Sequence, residues 1–408
     1  MLIFADKLDP RLRGDDRQGN GGDTFKSSFH SLKGLKTLLC LVAIVLCPVI
    51  SGAEDFFPIG MFSVGPDSLE IVKEAGFNTA HTYISDPAIL QKYIEKADKL
   101  GMKLLLFPGD RADQGNIDRM KVKKFVEENK GAKSILAWYL ADEPELNNMN
   151  SVEVKAINSF VKKMDSSRHT AMVIHRTDKF GEYRDASDIL MIDRYPVPKL
   201  PLNHVAEASR WAVNQKGDSG PVWTVLQAFG YQNPQLKGWG VPREPTYDEM
   251  RAMTFLSIIY GVKGIFYYTF TGSQYRIMHS PEHWNDLKKI VKELNSMYPL
   301  LLAGYNYEKV RVDIVEGPQR DDRGLLPVHI AEKHLMKDTG NFAAGKYYIV
   351  ANSTGKKVRA KFSFTSLPQR NGMIDVIGEK RNIKFEGETF SDTFEPYAVH
   401  IFKLQEHP

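Results

Sequence analysis

Cysteine is almost missing from this 408-residue chain, which has two, Cys40 and Cys47. Both lie in one apolar stretch near the N-terminus. A chain trimmed after that stretch has neither a disulfide nor a thiolate to work with. An excess of one charge is missing too: the formal net charge is +4, and residues 1–53 carry +2 of it. Nothing in that balance calls for a nucleic acid or an acidic membrane surface as partner. No glycine-rich phosphate loop follows the first strand-like run, which argues against a nucleotide. No H-x-H or H-E-x-x-H pair announces a metal. Residues 54–408 contain no internal repeat and no low-complexity tract. What remains is ordinary globular composition, 42% hydrophobic and 25% charged, with length for two domains.

The one long apolar run is "GLKTLLCLVAIVLCPVISGA". Lys33 and Lys36 stand before it, and the small residues Ser51 and Ala53 end it. This pattern predicts a secretory signal cleaved after Ala53, with a membrane helix as the alternative. Leu39 and Leu46 precede the cysteines, so a lipoprotein site is not expected. Signals normally begin near the N-terminus, and the polar, Gly-rich residues upstream suggest an over-extended start. The mature protein is expected to be secreted or periplasmic, with no membrane attachment beyond the export signal.

From residue 54 onward short apolar runs alternate with amphipathic segments. The strands read as "FPIGMFSV", "FNTAHTYIS", "MKLLLFPG", "ILAWYLADE", "HTAMVIHR", "ILMIDRYPV", "PVWTVLQAFG" and "VKGIFYYTF". Helical patterns separate them, several ending in Gly; "TDKFGEYRDASD" is the weakest. Eight strands and a closing helix over roughly 250 residues match a (β/α)8 TIM barrel, with a doubly wound open sheet as runner-up. After residue 304 the rhythm is strands and turns alone, predicting a C-terminal β-sandwich over 305–408, with "QRDDRGLLP" as an exposed loop. The expected domains are an N-terminal extension and signal (1–53), a barrel (54–304) and the sandwich.

Barrel active sites lie at the C-terminal ends of the strands. The fourth strand ends in Asp142-Glu143-Pro144-Glu145. Such acids also begin helices, where carboxylates favour the positive end of the dipole. Strand alternation puts Ala137, Tyr139, Ala141 and Glu143 on one face, with Asp142 on the other. Glu143 then points into the mouth. The sixth strand aligns Ile189, Met191, Asp193 and Tyr195; the seventh ends with Gln227. The second offers His81 and Tyr83, the fifth His175 and Arg176, the eighth Tyr267. Acids and amides grip hydroxyls, and aromatic faces stack on sugar rings, so this rim suits a carbohydrate. Asp193 beside Arg194 also reads as a local ion pair, Gln227 as a partner of backbone, and the histidines as structural. A metal-dependent hydrolase would need His81, His175 and Asp193 to converge.

"W-Y-L-x-D-E-P", the later "D-x-Y-P" and "V-W-x-V-x-Q-A-F" together resemble the clan A type of glycoside hydrolases, TIM barrels often followed by a β-sandwich. The resemblance spans about Phe57 to Pro408. It implies that Glu143 is the acid/base, with Asp142 where the clan usually has Asn. It also implies a Glu nucleophile ending the seventh strand, where this chain has Gln227. Three repairs follow. Asp193 activates water in an inverting reaction, which needs carboxyl groups roughly 6.5–9.5 Å apart. Or Asp142-Glu143 resembles the dyad of hexosaminidases, whose substrate acetamido group attacks. Or the site keeps sugar binding without chemistry. The resulting expectation is a glycosidase with catalytic Glu143, Asp193 and Asp142. Tyr195, Gln227, His81, Tyr83, His175, Arg176 and Tyr267 would contact the sugar, with no cofactor and no metal. The alternative is a non-catalytic carbohydrate-binding protein.

Overall fold

The computed structural model describes residues 56–405, apart from 113–115, 232–240, 273–274, 307–309, 322 and 365–370. The expected export signal lies outside the described residues. Eight strands form the barrel: β1 (Ile59–Met61), β2 (Thr79–His81), β3 (Lys103–Leu106), β4 (Ile135–Asp142), β5 (His169–Ile174), β6 (Ile189–Arg194), β7 (Val222–Gln227) and β8 (Ile265–Tyr268). Each pairs in parallel with the next, and β8 returns to β1 with Gly60 opposite Phe266. Closure rules out the open doubly wound sheet. It also needs a glycine: a Cβ on Gly60 would stand 2.1 Å from the Phe266 ring that fills the interior.

The helices are α1 (Leu69–Glu74), α2 (Pro87–Leu100), α3 (Arg119–Asn129), α4 (Ser151–Met164), α5 (Phe180–Tyr183), α6 (Asn203–Lys216), α7 (Tyr247–Ile259), α8 (Pro281–Ser296) and α9 (Tyr298–Leu302). Local chemistry explains their ends. The Asp86 side chain accepts from the Ile89 amide, Pro87 opens α2, and Gly101 closes it at φ 63°. Capping boxes start α4 (Asn150 with Glu153) and α7 (Thr246 with Glu249). Asn150 thus starts the helix after β4, and the acids of residues 142–145 do not. The weak helix between β5 and β6 is a short 3-10 turn, Thr177–Lys179, followed by the four-residue α5.

Inward side chains of the strands fill the barrel: Phe62, Leu105, Tyr139, Val173, Met191, Val225 and Phe266 are all buried. Outward ones pack under the helices. Trp138 belongs to that outer layer, and its indole N–H donates to Asp165 at 3.0 Å.

Nine antiparallel strands follow among the described residues: β9 (Gly304–Asn306), β10 (Arg311–Glu316), β11 (Val328–Leu335), β12 (Gly345–Asn352), β13 (Val358–Ser363), β14 (Asn371–Val376), β15 (Arg381–Glu386), β16 (Thr389–Phe394) and β17 (Val399–Leu404). Their order is β10-β13-β16-β15-β14-β17-β12-β11-β9. Strands β16 and β17 are three steps apart, about 14 Å along a flat sheet. Yet the rings of Phe390 and Phe402 lie 5.1 Å apart. The sheet therefore curls around one core, as a sandwich does. It covers α7, which explains why that helix is buried on nearly every side. Arg251 fastens the two parts, pairing with Glu293 and donating to the Val399 carbonyl at 3.0 Å. The loop expected to be exposed also leans on the barrel, through Asp321 to Asn203 and Arg323 to Glu207.

Candidate functional site

The site grows from an irregularity in β4. Pairing with β5 runs Tyr139 to Ala171, then Ala141 to Met172, a bulge of one residue. Before it alternation holds, with Ala137 and Tyr139 inside. After it Ala141 joins the outer layer. The expected face of Ala137, Tyr139, Ala141 and Glu143 is thus broken. Asp142, expected on the opposite face, turns into the mouth, where the Tyr83 hydroxyl donates to it. Burial and the Asp142 charge hold the Tyr83 phenol well above its ordinary range, so it stays a donor.

Glu143 adopts a left-handed backbone at φ 44°. Such conformations are costly for non-glycine residues and persist where the surroundings hold them. Here the Glu143 amide donates to the Val173 carbonyl at 3.1 Å, and the Asn147 side chain donates to the carbonyls of Asp142 and Glu143. The result tips Glu143 over β5 toward β6. His175 Nδ1 lies 3.3 Å from Asp193 Oδ2 and 3.9 Å from Glu143 Oε1. One oxygen of each acid and the imidazole nitrogen all lie within 4.8 Å of one another. The separation of roughly 6.5–9.5 Å expected for an inverting pair is not met. The lean over β5 closes that gap.

Electrostatics separates the two acids. Burial, then the Asp193 charge, then Asp142, push the Glu143 carboxyl well above its ordinary value. For Asp193, burial opposes the charge, but His175 and hydrogen bonding outweigh it and hold its pKa below the usual carboxylate value. Glu143 keeps a proton where Asp193 has lost one. Like charges cannot both ionise at this range, and the pair divides into an acid and a base.

Tyr195 lies over the acids, 5.8 Å from Tyr268 and 5.2 Å from Phe229 by ring centroids. His81 is buried at the floor, 4.2 Å from Phe62 and 4.8 Å from Tyr139, and its ring nitrogens have no hydrogen-bond partner among the described residues. It is absent from the converging set, which is Glu143, His175 and Asp193 rather than His81, His175 and Asp193. Those three could each offer one atom to a divalent cation, one ligand fewer than a closed structural zinc site has.

Three expected sugar contacts are placed elsewhere. Tyr267 faces outward and bonds Thr254 under α7; Tyr268 is the ring in the mouth, because β8 carries Phe266 inside and so alternates the other way. Arg176 turns to Asp178 on the following loop. Gln227 is fully buried, and its amide is spent on backbone: it accepts from Val197 N at 2.9 Å and donates to Val197 O and Phe229 O at 2.8 and 3.0 Å. Gln227→Glu would set a carboxylate against two carbonyl oxygens. It is expected to cost about 2–4 kcal/mol in urea unfolding and to add no activity. Residues not singled out in the sequence also belong here. Tyr231 follows Gly230 beyond the end of β7 and lies near both acids. Arg111 is buried with its guanidinium 5.1 Å from the rings of Tyr83 and Phe107.

No family model and no curated protein matches the chain. Solved structures do match its fold. An α-amylase from Geobacillus thermoleovorans, complexed with acarbose, superposes with a TM-score of 0.55 at 10% identity, over 87% of this chain and 99% of that one. An α-amylase from Anoxybacillus gives 0.55 at 10% identity, over 88% and 99%. A GH27 β-L-arabinopyranosidase from Geobacillus stearothermophilus gives 0.56 at 12% identity, over 86% and 97%. The barrel with a C-terminal antiparallel sheet is therefore a fold that glycoside hydrolases share with this chain. Among the described residues, no helix is long and apolar enough to cross a membrane.

Proposed function

We propose that the protein hydrolyses a glycosidic bond with retention, using Glu143 as acid/base and Asp193 as nucleophile. The observation that carries this is the acid pair itself: two carboxyl groups within 4.8 Å, at the C-terminal end of a barrel, with pKa values displaced in opposite directions. Protonated Glu143 gives its proton to the leaving oxygen as the glycosidic bond breaks. Ionised Asp193 forms the bond to the anomeric carbon. Glu143, now a base, takes a proton from water, and the water oxygen displaces Asp193. Retaining pairs stand roughly 5–5.5 Å apart and inverting pairs roughly 6.5–9.5 Å; with oxygens within 4.8 Å and a shared hydrogen bond, this pair is nearer the retaining spacing. The Tyr195 and Tyr268 rings supply faces for a sugar. The fold shared with an amylase and an arabinopyranosidase supports the same reading, although fold alone does not assign chemistry. Sugar binding without catalysis is the weaker reading, because a second acid stands close to Glu143.

A glycoside panel, scored by released sugar, tests the proposal on the chain beginning at Glu54. On a cleaved substrate, kcat/KM is expected to be bell-shaped in pH. Activity needs Asp193 ionised, so the acid limb falls below the ordinary Asp value. It needs Glu143 protonated, so activity persists well above the ordinary Glu value before the alkaline limb. A profile without an alkaline limb would exclude Glu143 as the acid. Export is proposed too: N-terminal sequencing of secreted protein should begin at Glu54, and an uncleaved cytoplasmic product would refute it.

A further inference from the structure

We propose that Glu145 is a positioning residue: its carboxylate fastens the end of β5 so that the His175 ring is held against Asp193. The inference rests on the reading of Glu143 and Asp193 as the reacting pair. Glu145 follows the acid by one proline and lies outside the strand. A single oxygen, Oε1, accepts the main-chain N–H groups of His175 at 2.7 Å and Arg176 at 2.9 Å. Burial pushes the Glu145 carboxyl above its ordinary value, and the main-chain N–H groups of Arg176 and His175 pull part of that rise back. The other oxygen, Oε2, is buried and has no hydrogen-bond partner among the described residues. Such a carboxylate is costly to keep in place, and nothing in the chemical step uses it.

Its position explains its use. The β4 end is fixed to β5 on the near side by the bond from the Glu143 amide to the Val173 carbonyl. Glu145 makes the second tie, two residues further along both chains. Pro144 locks the backbone between the two ties. The acid, the imidazole and the tie thus form one rigid loop. His175 Nδ1 lies 3.3 Å from Oδ2 of the buried Asp193 carboxylate, which also shares a hydrogen bond with the Glu143 carboxyl group. If the β5 end moves, the imidazole moves, and Asp193 loses a partner that favours its charge.

Three substitutions in the exported chain separate this role from plain structural support. Glu145→Gln keeps an amide oxygen that accepts both N–H groups. Glu145→Asp keeps the carboxyl group but shortens the reach, and Glu145→Ala removes both. The first readout is the long-range 1H–15N spectrum of the His175 ring, which reports whether Nδ1 carries the proton donated to Asp193. The second is the pH dependence of kcat/KM. Glu145→Gln should keep the wild-type ring signature and the acid limb. Glu145→Asp and Glu145→Ala should lose the signature and lower kcat by roughly 10–100-fold. Their acid limb should move to higher pH, because Asp193 without its imidazole holds its proton longer. A ring signature unchanged in Glu145→Asp would overturn the inference, as would a rate lowered evenly across pH. Equal loss in Glu145→Gln would overturn it as well. If the wild type cleaves no glycoside, the spectra still decide the role of Glu145, and that failure counts against the hydrolase reading alone.

Discussion

Glu143→Gln is expected to lower kcat on an unactivated glycoside by about 10²–10⁴-fold, the usual worth of general acid catalysis. The substitution preserves size, and an amide can keep the contacts made by a neutral carboxyl group. It cannot give a proton to a leaving oxygen. Glu143 already sits in a strained backbone held by Val173 and Asn147, and those bonds involve main-chain atoms that the substitution leaves alone. The melting temperature should therefore change little. The loss should shrink on substrates with good leaving groups such as nitrophenolates, which depart without a proton. Steady-state kinetics on a matched pair of substrates reads this difference. An equal loss on both would mean that Glu143 acts in some other way.

Asp193→Ala should be still more damaging, by roughly 10⁴-fold or more, the scale on which loss of a covalent nucleophile is felt. Asp193 is 1% exposed and is the ionised member of the pair. Removing it takes away the atom that bonds to the anomeric carbon and leaves a small space on the nucleophile's side of the sugar. Azide is small enough to enter and attack there. Azide should thus restore turnover of an activated glycoside in Asp193→Ala and give a glycosyl azide of inverted configuration. Azide should do nothing for Gln227→Glu, where the side chain is tied to Val197 and Phe229. Rescue that yields no glycosyl azide would remove Asp193 from the role of nucleophile.

Much of the architecture was legible because periodicity carries it. Eight apolar runs separated by amphipathic segments have few solutions, and the barrel is the one found. The curled sheet was legible from its turns. The site was legible only where alternation ran undisturbed, as in β6, where Ile189 and Met191 face inward and Asp193 follows them. A one-residue bulge in β4 brought Asp142 into the mouth, and no residue type near Leu140 marks a bulge. Strand β8 has no polar residue to show its parity, so Tyr267 and Tyr268 were interchangeable until their contacts were known. Gln227 sits where a nucleophile was expected, but its amide is consumed by a loop thirty residues earlier in the chain. The double acceptance by Glu145 joins two strand ends across thirty residues and has no local signature at all.

The most direct test is to trap the intermediate. A 2-deoxy-2-fluoro glycoside, chosen to match whichever sugar the panel identifies, slows both steps and lets the glycosyl-enzyme accumulate. Peptide mapping by mass spectrometry should place one sugar on the peptide that contains Asp193, and Asp193→Ala should take no label. A label on any other acid, or release of the product with inverted anomeric configuration and no label at all, would contradict the account.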